Sequence, residues 1–187
     1  IIAAFSEGNY STSHPALTPD GKTLYFSSDM PGTMGAKGMF KETDIWRIDI
    51  NDNGSFSDLE NVSIVNTEGR ESYPYISRSG NLYFASNGLQ GLGGLDIFVS
   101  TINKDGSLSS PVNIGEPANS VDDDFAFIVD EDINSGYFST NRVNGGDNDE
   151  IYRFVQLEDL RETCEQIITG TITNSVTNDV IPSARVS

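Results

Sequence analysis

Short apolar runs, separated by turn-forming residues, dominate this sequence. The clearest runs are residues 24–28, 44–48, 82–86, 96–100, 136–140 and 150–154. They are too short for stable helices and are rich in the aromatic and β-branched residues that strands favour. The pattern therefore predicts an all-β chain, with one or two helical turns expected at most, at residues 157–164.

The runs recur in three units that share one order of parts. Two sets of aromatic residues mark equivalent positions: Tyr25, Tyr83 and Tyr137, then Trp46, Phe98 and Tyr152. The members of the first set are separated by 58 and 54 residues, and those of the second by 52 and 54. Because both signals stay in step, chance similarity is a poor explanation. Four antiparallel strands in about 50 residues are typical of a β-propeller blade.

Turn-forming residues divide the units where a blade needs turns. A Pro-Asp-Gly turn at residues 19–21 follows the first strand of unit one. There proline fixes φ, and glycine accepts the positive φ that follows. Asn-Gly at residues 53–54 and Asp-Gly at residues 105–106 follow the third strands and are strong hairpin signals. Fourth strands are therefore expected around residues 56–64 and 108–114.

The repeat predicts a propeller segment at residues 1–155, with blades at residues 10–64, 68–116 and 120–155. The first five residues are expected to form an outer strand, and the third unit has no fourth strand of its own. Propellers usually have four to eight blades, so three blades do not close a ring. We expect a segment of a larger propeller, and the alternative is a ring that several protomers complete together.

The last part of the chain differs in character. Residues 156–166 are charged and predict a linker. Residues 167–173 and 180–186 alternate as two strands. Because an isolated hairpin is marginally stable, residues 167–187 are interpreted as the opening of an Ig-like β-sandwich domain.

Charge excludes several kinds of partner. The 187 residues contain 11 Lys and Arg against 28 Asp and Glu, a formal net charge of −17. Nucleic acids and anionic lipid surfaces need clustered cations, so neither is expected to bind. No apolar run approaches the roughly 18 residues of a membrane helix, and no secretory leader is recognised. Cys164 alone makes no intrachain disulfide, and His14 alone makes no multi-histidine metal site.

Unit one carries a family resemblance. Ala-Leu-Thr-Pro-Asp-Gly-Lys-Thr-Leu-Tyr-Phe-Ser-Ser-Asp at residues 16–29, followed by Asp-Ile-Trp at residues 44–46, resembles the WD40-like PD40 repeat of TolB-type propellers. The resemblance extends over residues 10–155. The tail resembles the start of a carboxypeptidase-regulatory-like domain. This order is similar to that of OmpA-family cell-envelope proteins, some of which are similar to accessory components of type IX secretion.

The resemblance implies a non-catalytic propeller that serves as a scaffold or protein-interaction module of a peptidoglycan-associated outer-membrane protein. The expected partners are other envelope proteins, and peptidoglycan would be contacted only through a domain outside this chain. The expected location is the periplasm, at the outer membrane. No direct membrane insertion, cofactor or catalytic residue is expected.

Two other functions stay open. The first is the gating propeller of a serine peptidase similar to prolyl oligopeptidases, although the nucleophile motif Gly-x-Ser-x-Gly does not occur in this sequence. The second is a carbohydrate-binding or glycosidase propeller. A glycosidase would need two carboxylates about 5 to 10 Å apart beside exposed aromatic rings.

Residues 49–60 match the spacing of a twelve-residue calcium loop. The candidate ligands are Asp49, Asn51, Asn53, Ser55 and Glu60. The segment lies between strands rather than helices, and the equivalent hairpin at residues 103–106 keeps the turn without the ligand set. A metal-free hairpin is therefore the favoured interpretation.

Two further segments are candidate interaction surfaces. Asp122, Asp123 and Asp124 predict a solvated acidic loop, which is the best place to seek a cation or a basic partner. The long loop at residues 30–43 carries Met34, Met39 and Phe40 among its apolar residues. These form either an adaptable contact surface or an edge tucked onto the blade.

Several polar residues recur in every unit. Two sets are recognised: Asp29, Asn87 and Asn141, then Asp44, Asp96 and Glu150. Because Asx side chains imitate turns, both sets predict hydrogen bonds that build the blade. His14 begins an inner strand, where it either faces a central channel or is a hydrogen-bonded structural histidine.

Overall fold

The computed structural model describes residues 9–34, 42–143 and 148–157, with residues 173, 177 and 179. The described residues form three antiparallel sheets, named here blades 1, 2 and 3 in chain order. Within these residues, no helix is long and apolar enough to cross a membrane.

Each sheet orders its strands as they occur in the chain, so strands that are consecutive in the chain lie side by side. Blade 1 contains β1 (Thr12–Leu17), β2 (Thr23–Ser28), β3 (Asp44–Asp49) and β4 (Glu60–Asn61). Blade 2 contains β5 (Glu71–Ile76), β6 (Asn81–Ser86), β7 (Asp96–Thr101) and β8 (Val112–Asn113). Blade 3 contains β9 (Asp124–Asp130), β10 (Ser135–Thr140) and β11 (Glu150–Val155) in the described part of the chain.

These meandering sheets confirm the predicted all-β fold built of propeller blades. The strands lie inside the ranges expected for the blades, 10–64, 68–116 and 120–155. The expected outer strand at residues 1–5 lies outside the described residues. So do most of the expected linker and the expected second β-domain, which stay predictions.

The fourth strands are shorter than the sequence predicts. In blade 1, Phe56 forms only an isolated bridge with Ile50, and paired strand resumes at β4. Between them Ser57 Oγ accepts the main-chain N–H of Asp49 at 2.9 Å, where a strand would use a carbonyl. In blade 2 the equivalent contacts join Leu108 to Ile102 and Ser109 to Thr101.

The hydrophobic core lies between the blades. Tyr25 and Ile45 of blade 1 pack with Phe84 and Phe98 of blade 2. Tyr83 and Ile97, on the other side of blade 2, pack with Phe127 and Phe138 of blade 3. Trp46 and Phe98 are buried, and Tyr152 packs against Phe138. Burial of apolar area at about 25 cal/mol per Å² makes these junctions the main source of stability.

The first strands of the three blades lie side by side along one edge of the assembly. Each carries a bulge in its pairing with the second strand of its blade. One residue in each bulge has a positive φ: His14 at 52°, Tyr73 at 56° and Ala126 at 53°. A bulge redirects side chains, and repeating it turns corresponding residues of all three blades toward the same edge.

Candidate functional site

The three first strands line a cavity of about 370 Å³. Its walls come from residues 14–17, 73–76 and 126–128, which are the bulged segments. Such concave surfaces, lined mostly by apolar groups, are where propellers and other folds bind ligands and partners. We use the name central surface for this cavity together with the adjoining residues Arg70 and Phe125.

A row of rings crosses the central surface. The ring centroids of His14 and Tyr73 lie 4.1 Å apart, and those of Tyr73 and Phe125 lie 4.9 Å apart. The Arg70 guanidinium carbon lies 5.8 Å from the centroid of the Tyr73 ring, within cation–π range. The surface thus offers aromatic faces beside one positive charge, although the chain as a whole is strongly acidic.

The surroundings of His14 oppose its protonation. Burial lowers its pKa, and the nearby positive charge of Arg70 lowers it further. Ser13 Oγ lies 3.1 Å from His14 Nδ1, within hydrogen-bond distance. Both observations match the structural histidine that the sequence allows, and the cavity lining also places it on the central surface.

The Ser13–His14 contact does not resemble a hydrolase site. A catalytic triad needs a carboxylate that orients the imidazole and stabilises its protonated form. The charged group that acts on His14 is instead the cation of Arg70, which opposes protonation. Among the described residues the cavity lining contains no Asp or Glu, so the carboxylate pair of a glycosidase does not lie in its walls.

The acidic segment at residues 122–124 is largely used within the blades. Asp124 is fully buried, and Asp123 accepts hydrogen bonds from Leu95 N at 2.7 Å and Asn141 Nδ2 at 3.3 Å. Asp122 is half-buried, with its main-chain N–H on Ser120 Oγ. The expectation of a solvated acidic loop is therefore wrong for Asp124, because its buried carboxylate is bound by Ser120 and Arg142. Its carboxylate is not accessible to a partner.

The apolar loop that begins at residue 30 is only partly described. Met30 is buried against Phe26 and Trp46, so this end of the loop tucks onto blade 1. Met34 is exposed, and its main-chain N–H donates to Asp44 Oδ2 at 2.9 Å. Met39 and Phe40 lie outside the described residues, and their proposed contact surface stays a prediction.

The candidate calcium loop is built as a hairpin. Asn51 Nδ2 donates to Ser55 Oγ, and the main-chain N–H of Ser55 donates to Asn53 Oδ1, both at 2.9 Å. Glu60 faces Arg47 in a two-pronged ion pair at 2.8–3.0 Å. The described residues contain no group of three or more His, Cys, Asp or Glu placed to hold a metal ion.

The equivalent turn of blade 2 uses the same bonds. Asn103 Nδ2 donates to Ser107 Oγ at 3.0 Å, and the N–H of Ser107 donates to Asp105 Oδ1 at 3.0 Å. Side chains that match the calcium pattern therefore form hydrogen bonds within the turn. The blade 2 turn forms the same bonds, although its sequence does not match the calcium pattern. Asp49 likewise accepts a hydrogen bond from Thr23 Oγ1 at 2.8 Å.

The recurring polar residues hold the strand ends, as predicted. Asn87 Oδ1 accepts the N–H of Arg70 at 2.7 Å, just before β5. Asp96 Oδ2 accepts the N–H groups of Leu92 and Gly93 at 2.8 and 3.1 Å. The counterparts Asp29, Asn141 and Asp44 accept main-chain N–H groups from Ser11, Asp123 and Met34 in turn. Glu150, the counterpart in blade 3, is exposed.

A second repeated motif, which the sequence analysis missed, joins each blade to the next. Asn66 forms two hydrogen bonds of 2.8 Å with the main chain of Ile45. Thr67 follows it and donates its N–H and hydroxyl to the fully buried carboxylate of Glu71, at 2.8 and 2.7 Å. The motif Asn-[Ser/Thr]-x-x-x-[Glu/Asp] recurs 53 residues later at residues 119–124, a signal that could have been found.

The repeat of the motif has one added partner. Asn119 bonds the main chain of Ile97 at 2.8 and 2.9 Å, and Ser120 donates its N–H and hydroxyl to Asp124 at 2.6 and 2.8 Å. Arg142 adds an ion pair to Asp124 at 2.6 Å. Both motifs thus close a blade and, through the carboxylate, fix the first strand of the following blade.

Comparison with known proteins yields likenesses of structure. No protein-family model matches the sequence, and no curated protein matches it. The structure of the periplasmic gluconolactonase of Pseudomonas aeruginosa is similar over 75% of this chain, at 17% identity and a TM-score of 0.48. The chain spans about 39% of the length of that protein. A likeness at this level carries no conclusion about activity.

Proposed function

We propose that this β-propeller module is a non-catalytic scaffold that binds another protein through its central surface. The observation that carries the proposal is a contrast between two groups of described residues. The recurring Asx residues and the motif carboxylates are engaged in bonds that build the blades. The ring row of His14, Tyr73 and Phe125 instead lies on the central surface.

The physical advantage of such a site is preorganisation. The rings stand on bulged strands of neighbouring sheets rather than on a long loop, so binding would not have to order them first. Aromatic side chains and arginine are also the residues that most often supply binding energy at protein interfaces. The central surface offers both at one point, because the guanidinium of Arg70 lies over the ring of Tyr73.

The setting that we propose is the cell envelope. The similarity of residues 10–155 to PD40 repeats supports an OmpA-family, peptidoglycan-associated protein of the outer membrane, with its partners among other envelope proteins and a link to type IX secretion. Peptidoglycan contact would be made by a domain outside this chain. The strong negative charge, −17, supports a protein partner over nucleic acid or an anionic lipid surface.

Site-specific photo-crosslinking tests this proposal. A benzoylphenylalanine is placed at Tyr73, where it preserves an aromatic ring, and in a control protein at Val121, which is exposed and distant in sequence. In cells that produce the protein, we expect a discrete crosslinked envelope protein from position 73 and none from position 121. Equal crosslinking from both positions, or a hydrolytic activity abolished by Tyr73→Asn, would contradict the proposal.

A further inference from the structure

The outer face of blade 3 exposes residues that the other blades bury. Tyr25, Tyr83 and Tyr137 pair with residues Arg47, Val99 and Arg153 in the same register. Their exposed fractions are 1%, 4% and 49%. The difference does not come from the tyrosines or their sheets. It arises because the next blade covers the first two faces.

The third strand shows the same contrast more strongly. Ile45, Ile97 and Ile151 occupy one register position, opposite Ser27, Ala85 and Ser139. Ile45 and Ile97 are 0% exposed, and Ile151 is 77% exposed. The sequence keeps isoleucine at a position that, in blade 3, faces solvent. Burial stabilises an isoleucine by removing its apolar surface from water, and Ile151 forgoes most of this gain.

Beside these residues lies a groove of about 390 Å³ on the same face. Ile128 and Tyr137 line it, together with Arg153. We use the name outer face for Ile128, Tyr137, Ile151 and Arg153. Exposed apolar patches of this kind, with a charged group at the rim, mark protein interfaces.

Arg153 also has a counterpart that shows what it would bind. Arg47, at the same position of blade 1, reaches across the junction and donates to the main-chain carbonyl of Gly106 at 2.7 Å. Gly106 belongs to the turn between the third and fourth strands of blade 2. An arginine at this position is therefore suited to the hairpin carbonyl of a following blade.

The main chain supplies a third point of attachment. The N–H of Glu71, at the start of β5, donates to the carbonyl of Thr43 at 2.7 Å. The N–H of Asp124, at the start of β9, donates to the carbonyl of Leu95 at 2.6 Å. Thr43 and Leu95 directly precede the third strand of their blades, and Asp149 is the equivalent residue of blade 3.

We propose that the outer face is the docking site of a fourth blade, a four-stranded antiparallel sheet of the same kind. Its first strand packs on Ile128 and Tyr137 and donates a main-chain N–H to the carbonyl of Asp149. Its aromatic second and third strands cover Ile151, as Phe84 and Phe98 cover Ile45. The carbonyl of its last turn accepts a hydrogen bond from Arg153. This continues the interface already formed twice within the molecule.

A second copy of this chain, joined head to tail, fits the outer face less well. Such a copy would have to present the opposite face of its blade 1, at the positions of Phe26, Trp46 and Ile48. These three side chains are already buried, against Met30 and other residues of their own blade. The occupant is therefore a blade with an open aromatic face, which blade 1 does not offer.

Chemical labelling of tyrosine tests the proposal without altering the protein. The protein is purified from cells that produce it, and the rates of radical modification of Tyr25, Tyr83 and Tyr137 are compared by mass spectrometry. We expect Tyr137 to be modified as slowly as Tyr25 and Tyr83 in a protein that is monomeric. Reaction of Tyr137 as an exposed tyrosine would overturn the proposal. Protection that appears only with dimerisation at high concentration would overturn it in favour of a second copy.

A pair of charge insertions provides the second measurement. Ile151→Lys places a charge on the outer face, and Val121→Lys places one at a site with nearly the same exposure, 79%. We expect Ile151→Lys to lower the thermal midpoint and to restore labelling of Tyr137, and Val121→Lys to change neither. Equal effects of the two variants would overturn the proposal. This outcome is independent of the central surface, since neither residue belongs to it.

Discussion

The two blade junctions bury a carboxylate at the same position and stabilise it in different ways. At the first junction, the donors to Glu71 among the described residues are the neutral groups of Thr67 and Ser86, at 2.6–2.8 Å. At the second, Asp124 receives the donors of Ser120 and the guanidinium of Arg142. Burying a carboxylate without partners would cost several kcal/mol, so each junction has to meet that cost in some way.

The length of the acidic side chain explains the difference. Glutamate is longer than aspartate by one methylene group, and Glu71 reaches Ser86 Oγ directly. At the second junction the equivalent hydroxyl, on Thr140, accepts a hydrogen bond from Arg142 Nε at 3.0 Å instead. The guanidinium of Arg142 thus bridges Thr140 and the shorter side chain of Asp124.

The residue two positions after the hydroxyl residue also differs between the two junctions. Arg142 occupies the position of Gly88 in blade 2, two residues after the hydroxyl residue. A Cβ at Gly88 would lie 1.8 Å from Thr67 Oγ1, so the first junction has no room for a side chain there. The length of the acidic side chain, the hydroxyl residue and the residue two positions after it therefore depend on one another. Replacing one of the three by its counterpart from the other junction would leave it without a fitting partner.

The largest expected effect comes from removing the cation of the second junction. Arg142→Met keeps an unbranched apolar stem but leaves Asp124 buried with only the donors of Ser120. It also removes donors to the carbonyls of Pro117 and Ala118. Because an unpaired buried charge is costly, we expect a loss of about 3 kcal/mol in the free energy of unfolding, measured by urea denaturation.

The matched control for that variant is Arg78→Met. Arg78 also forms a short ion pair, with Asp132 at 2.6 Å, but both side chains are mostly exposed. Solvent screens such a pair, so we expect the urea midpoint to stay nearly unchanged. If both arginine variants lost equal stability, burial would not be the cause of the difference between the junctions.

A smaller loss is expected at the first junction from Glu71→Gln. The glutamine amide group would bring N–H donors toward Thr67 or Ser86, whose own N–H and O–H groups point at the same oxygens. A buried donor without an acceptor costs about 1 to 3 kcal/mol. The same urea measurement on Glu68→Gln, an exposed position in the same connection, serves as the control. A neutral result for Glu71→Gln would show that the junction does not depend on the charged form.

The smallest effect is a dependence on pH. Burial raises the pKa of Glu71, against the opposing hydrogen bonds from Ser86 and Thr67, and burial likewise raises the pKa of Asp44. A raised pKa means that the folded state binds more protons than the unfolded state. The contribution of Glu71 to stability is therefore complete below its ordinary pKa of 4.5 and is lost as pH rises through the folded value.

We expect the free energy of unfolding to fall with rising pH in this window, and Glu71→Gln to make the fall shallower. The measurement is a series of urea denaturations in which the difference between the two proteins is followed from pH 4.5 upward. Taking the difference cancels the exposed carboxylates that both proteins share. A steeper fall in the variant would contradict the assigned direction for Glu71.

Local features of this protein follow from short stretches of sequence. The Pro-Asp-Gly turn gives Gly21 a φ of 73°, and the two hairpin signals give Gly54 and Gly106 φ values of 79° and 81°. The short apolar runs between turn-forming residues predict the strands, and the spacing of aromatic residues predicts the blade repeat. The turns and strands depend on residues only a few positions apart, so local patterns determine them.

The sequence by itself therefore determined the strands, their turns and the existence of blades. Only the tertiary structure decided which acidic residues are buried, since Asp122 and Asp124 look alike in the chain but only Asp124 is completely covered. It also brought His14, Tyr73 and Phe125 into one row across blade boundaries. The physical reason is that desolvation and ring contacts depend on groups 15 to 60 residues away, which meet only when one blade packs on the next.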